Sequence, residues 1–112
     1  MVRFNLERAG YRVSEAADGR EALALLEAES PDVVLLDLTM PDMDGWDLLE
    51  EARAAGHLDG VLVAVLTGDA HEMVEHRARG AGADAYLVKP LEPGDLIRAI
   101  ERLLEEASDP RR

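Results

Sequence analysis

The sequence predicts a doubly wound parallel α/β domain, and three observations carry that prediction. Val33-Val34-Leu35-Leu36, Val61 to Leu66 and Ala85 to Val88 are continuous apolar runs of strand length, and each closes on a polar residue, Asp37, Thr67 or Lys89. Strands that are apolar on both faces belong to a parallel sheet covered on both sides. Segments with apolar residues at helical spacing separate the runs, the order expected of βαβ units.

Taken in order, Val2 to Ala9 reads as the remainder of a helix ended by Gly10, and Tyr11 to Glu15 alternates like a short strand. Ala17-Asp18-Gly19 is a turn, and Gly19 to Glu29 places Ala22, Leu25, Leu26 and Glu29 at helical spacing before Ser30-Pro31-Asp32 breaks it. After the Asp37 strand comes a loop with Pro41 and Gly45, then a helix from Trp46 to Ala54. A helix over His71 to Arg79 follows the Thr67 strand and ends at Gly80 and Gly82. Pro93 opens the last helix, whose face is Leu96, Ile97, Ile100, Leu103 and Leu104. The expectation is four strands, the remainder of a first helix and four further helices, in one domain over residues 1–108 with a frayed tail at 109–112.

Composition excludes several function classes. The 112 residues carry 24 acids against 12 bases, a formal charge of −12, which argues against direct binding to nucleic acid or to an anionic membrane. There is no cysteine, so neither disulfides nor thiolate metal sites are possible. No apolar run has the length of a membrane span, and Met1 to Leu6 lacks the apolar stretch of a secretion signal, so a cytoplasmic location is expected. Eleven of the twelve bases are Arg; the one lysine is Lys89, which fits a position that needs a compact ammonium, although a bias towards Arg accounts for it equally well.

In an open parallel sheet, ligands bind beyond the carboxyl ends of the strands. The prediction therefore gathers Asp37, Thr67 and Lys89 at one edge. That set suits phosphoryl transfer, with a carboxylate as nucleophile and a hydroxyl and a cation to bind the oxygens on which charge develops. The bland reading, a loop-capping Asp37 and an ordinary strand-end Thr67, fits each residue singly but not all three at the same end of their strands.

The segment Leu35-Leu36-Asp37-Leu38-Thr39-Met40-Pro41-Asp42-Met43-Asp44-Gly45 resembles the phosphoacceptor loop of the receiver domains of two-component response regulators. Val65-Leu66-Thr67-Gly68 looks like that family's switch-hydroxyl strand, and Tyr86-Leu87-Val88-Lys89-Pro90 like its aromatic and lysine segment. The resemblance covers essentially the whole chain and implies a flavodoxin-like (βα)5 fold. It implies that Asp37 accepts a phosphoryl group from a phosphohistidine on a histidine kinase or phosphotransfer protein, and that Thr67 and Lys89 bind the aspartyl phosphate. Inward movement of Thr67 would let Tyr86 rotate, switching a surface read by a downstream protein target. The activity implied is that of a phosphoacceptor, with at most self-phosphorylation and slow autodephosphorylation.

The chain departs from the family at its start. A first apolar strand ending in an acidic pair would fall ahead of Met1, so a misassigned or truncated start is expected. The Mg²⁺ implied by the family would then have Asp37 and the backbone carbonyl of Thr39 as direct ligands, and its binding should be weakened. The missing strand would lie between the Tyr11 strand and the Val33 strand, which predicts self-association through exposed strand edges. A phosphorylation-impaired pseudo-receiver, acting as an interaction or dimerisation module, is the main rival reading. A phosphatase of the haloacid-dehalogenase type is a remote one, because that family needs an Asp where Thr39 stands. Trp46 reads as packing at a helix start, and His57, His71 and His76 as solvated residues.

Overall fold

The computed structural model describes residues 6–38, 45–68 and 72–108. Thr39, His71 and the predicted tail at 109–112 lie outside the described residues. The chain forms two units, one spanning Glu15–Lys89 and the other joining the residues up to Ser14 with those from Pro90 onward.

The Glu15–Lys89 unit holds a parallel sheet of three strands in the order β1-β2-β3: β1 (Val33–Asp37), β2 (Leu62–Thr67) and β3 (Ala85–Val88). Helices α1 (Gly19–Ala28), α2 (Gly45–Ala54) and α3 (Glu72–Gly80) connect and flank them. The predicted strands and helices of this unit match these bounds to within a residue. Helix α1 starts where Asp18 Oδ1 accepts from the Glu21 amide at 2.8 Å, while Glu21 Oε2 accepts from the Ala17 amide at 3.2 Å. This exchange satisfies amides that a helix start leaves without partners. Helix α2 ends on Gly56 and α3 on Gly82, both at positive φ (81° and 97°). In each case the next residue's amide reaches back five positions, His57 to Ala52 O and Ala83 to Ala78 O, closing the last turn.

The core gathers Leu36, Val63 and Val65 from the sheet with Leu48, Leu49, Ala52 and Ala78 from the helices. Strand β2 is buried from Val63 to Thr67, as a central parallel strand must be. Strand β3 was expected to be equally buried but is half-buried throughout, because it is an outer strand of the sheet.

The second unit holds a short helical stretch over residues 6–8 and helix α4 (Pro93–Ser108), which buries Leu96, Ile100 and Leu103 along one stripe. The strand predicted over Tyr11–Glu15 does not form. Residues 11–16 have no regular structure, although Tyr11 and Val13 are half-buried and Arg12 and Ser14 exposed in the alternation that suggested a strand. Alternation sets which side chains can be buried, but a strand also needs a neighbour for its backbone bonds, and the described sheet ends at β1. The described residues therefore hold three strands where four were expected.

Candidate functional site

Sheet register brings the site together. Asp37 pairs with Leu66, and Thr67 pairs with Val88, so two parallel strands end side by side with Lys89 next in the chain. The Lys89 amide donates to Thr67 O at 2.7 Å, and the Leu38 amide donates to Leu66 O at 2.8 Å, carrying the ladder one residue past each strand end. These bonds hold the backbone on which the three side chains stand.

The Lys89 ammonium donates a hydrogen bond to Asp37 Oδ2. Both groups are partly open to solvent, Lys89 at 38% and Asp37 at 27% of their side-chain surface. A pair this exposed adds little to stability. Its importance is placement, because it fixes a carboxylate where an incoming electrophile can reach it. The same ammonium then faces any negative charge that forms on a group attached to that carboxylate. Thr67 ends the neighbouring strand, only 3% exposed and the one buried polar residue among those described. Tyr86 sits on β3 opposite Val65, half-buried and packed against the core. All three strand-end residues thus share one edge; Thr39 cannot be placed with them, since it is outside the described residues.

Beside Thr67 opens a cavity of about 690 Å³ that the sequence did not reveal. Leu38, Trp46, Met73 and Val74 give it apolar walls, and His76 and Arg77 line it as well. The Arg77 guanidinium lies 4.1 Å from the centre of the Trp46 ring, a cation–π contact between α2 and α3. Trp46 does pack against the core as expected, but it also forms this wall. The 31-residue separation of Trp46 and Arg77 leaves no periodic signal by which the contact could be read in advance. Met73 is 73% exposed at its edge.

No three Asp, Glu or His side chains converge among the described residues in a way that could hold a metal ion. Asp37 is the one strand-end carboxylate among the described residues, and its Oδ2 already accepts from Lys89. Mg²⁺ takes near-octahedral oxygen ligands, and at the strand ends the described residues supply one carboxylate, Asp37, towards such a set. No helix among the described residues is long and apolar enough to cross a membrane.

Comparison with known proteins agrees with this geometry. The family profile described as the response regulator receiver domain matches residues 1–101. The response regulator MprA of Mycolicibacterium vanbaalenii is 39% identical over 109 residues, covering 96% of this chain and 46% of its own. The transcriptional regulatory protein PdtaR of Mycobacterium tuberculosis is 44% identical over 97 residues, covering 86% and 46%. The chain thus spans about half the length of these relatives. Among solved structures, a CheY-like receiver domain protein from Methanospirillum hungatei superposes with a TM-score of 0.83 at 38% identity, covering 94% of this chain and 82% of that one. Chemotaxis protein CheY4 of Vibrio cholerae gives 0.84 at 34% identity, covering 91% and 85%.

Proposed function

This chain belongs to the response-regulator receiver domains, and we propose that within it Asp37 is the phosphoacceptor, served by Thr67 and Lys89. The observation that carries this reading is the ion pair at the strand ends, which sets a reachable carboxylate against a cation beside a buried hydroxyl. In the reaction, an Asp37 carboxylate oxygen attacks phosphorus and forms an O–P bond while the P–N bond of a phosphohistidine breaks. The leaving imidazole takes up a proton. Lys89 gives up its bond to Asp37 and donates to a phosphoryl oxygen, and the Thr67 hydroxyl donates to another. Water later cleaves the acyl phosphate slowly. This is the chemistry of a signalling domain and not of a turnover enzyme, and the family match disfavours a phosphatase of the haloacid-dehalogenase type.

The partners on this reading are a histidine kinase or phosphotransfer protein upstream and a protein target downstream. On the same reading Tyr86, half-buried beside the strand that carries Thr67, reports occupancy of the site by rotating. Receiver domains generally bind Mg²⁺ at an acidic pocket; in this chain Asp37, with the carbonyl of Thr39, would be its ligands and the affinity low. The transcriptional regulatory protein PdtaR is about twice as long, so the excess acid of this chain argues against nucleic-acid contact by this domain only. Self-association through exposed strand edges belongs to the same reading, and because each copy carries −12 it should strengthen as ionic strength rises. A cytoplasmic location accompanies the kinase partner.

The test is intact mass after incubation with a small-molecule phosphodonor and Mg²⁺, with Asp37→Asn as control. One added phosphoryl group, absent from the control, is the expected result. No addition under conditions that phosphorylate another receiver domain would leave the pseudo-receiver reading in its place.

A further inference from the structure

The cavity beside Thr67 takes no part in the chemistry of Asp37 and Lys89, and its make-up sets it apart from the rest of the chain. Its volume of about 690 Å³ falls within the span of small-molecule sites, roughly 300–1,000 Å³. Leu38, Trp46, Met73 and Val74 give it the apolar walls such sites have. The chain carries 24 acids against 12 bases, yet no acid is among the described residues that line this cavity. Its polar residues are Thr67, His76 and Arg77.

Arg77 points to the ligand. On the same helix Arg79 is held by Glu75 at 3.1 Å, and on α4 Arg98 is held by Asp95. Arg77 instead lies over the Trp46 ring, and no carboxylate among the described residues pairs with it. Its neighbours three and four positions away are Met73, Val74, Gly80 and Ala81, so its own helix face offers it no acid. An indole holds a guanidinium by its flat face and leaves the N–H groups around its rim, where they can donate two parallel hydrogen bonds to a carboxylate. A carboxylate also carries a single negative charge, which a chain of net charge −12 repels less than it does a phosphate.

We propose that this cavity binds a small amphipathic carboxylate, its apolar body against Leu38, Trp46, Met73 and Val74 and its carboxylate on the Arg77 guanidinium. Thr67 lines the same cavity, so the bound molecule lies beside the buried residue at the end of β2. The proposal does not depend on phosphoryl transfer to Asp37.

The test uses the full 112-residue chain with phenylbutanoate, and phenylbutanamide as its uncharged counterpart. Trp46, the chain's single tryptophan, reports binding by fluorescence, and NMR shifts at the amides of Leu38, Thr67, Met73 and Val74 map it. The carboxylate should bind about five-fold more tightly than the amide, the upper end for an exposed ion pair. Arg77→Gln should abolish that preference with circular dichroism unchanged, because Arg77 is exposed. Arg79→Gln removes the same charge from the same helix but does not line the cavity, and should keep the preference. Met73→Glu sets a negative charge at the cavity's exposed edge and should weaken the carboxylate more than the amide. Equal binding of the two probes, an equal loss in the Arg79 variant, shifts that map elsewhere, or no shift at the probes' solubility limit would each overturn the proposal.

Discussion

Replacing Asp84 by Ala should destabilise the domain by about 1–3 kcal/mol, the desolvation cost of a buried donor left without a partner. Asp84 precedes β3, and its Oδ2 accepts from the Val63 amide at 2.8 Å while its own amide donates to Val63 O at 2.7 Å. Val63 is 1% exposed, so water does not readily replace the carboxylate. The two bonds clamp β2 to β3 at the end opposite the site and fix the register that sets Thr67 against Val88. Asp84→Asn keeps an acceptor at the same place and should lose only the charge-assisted part, about 1 kcal/mol. Urea denaturation with a single global slope is the assay. Each kcal/mol should also appear as a fall in Tm of about 4–8 °C for a domain near this size. An Asp84→Ala variant within 0.5 kcal/mol of the parent, inside the ordinary scatter of surface changes, would refute the reasoning. So would an Asn variant as damaged as the Ala variant.

Other perturbations test separate parts of the account. Burial, helped by the neighbouring charge of Glu101, raises the Tyr11 hydroxyl above its usual 10.0. The folded state then holds that proton more tightly than the unfolded one, so the stability it confers is complete below pH 10 and falls as pH rises beyond it; Tyr11→Phe should flatten melting curves compared across that range. Gly82→Ala forces a Cβ onto a residue at φ 97° and within 2.4 Å of the Arg53 guanidinium, and should cost about 1–2 kcal/mol by denaturation. Because that guanidinium can move, Arg53→Ala should recover only a minor part of the loss. Lys89→Met should leave the fold intact, since the pair it breaks is partly exposed, yet slow phosphorylation of Asp37 by at least about ten-fold, followed by intact mass over time.

Most of the Glu15–Lys89 unit was legible because its signals are local. Apolar runs of four to six residues flanked by helical spacing read as strands, and Asp18 and Gly82 mark helix ends by their own chemistry. The strand-end trio was legible for a further reason: parallel topology turns three sequence positions into one place. Tyr11–Glu15 was misread because alternation reports which side chains face inward and says nothing about whether a neighbouring strand exists. The half-burial of β3 follows from sheet order, which the pattern of a four-residue run does not encode. The Trp46–Arg77 wall joins two helices and has no sequence period at all.

The central claim is that the carboxylate held by Lys89 is the atom that receives phosphate. Reducing the phosphorylated chain with borohydride converts an aspartyl phosphate to homoserine, and peptide mapping then locates it. Homoserine at position 37, and at no other acid, is the predicted result. Homoserine at another of the chain's acids, or none in a chain that has gained a phosphoryl group, would contradict the account.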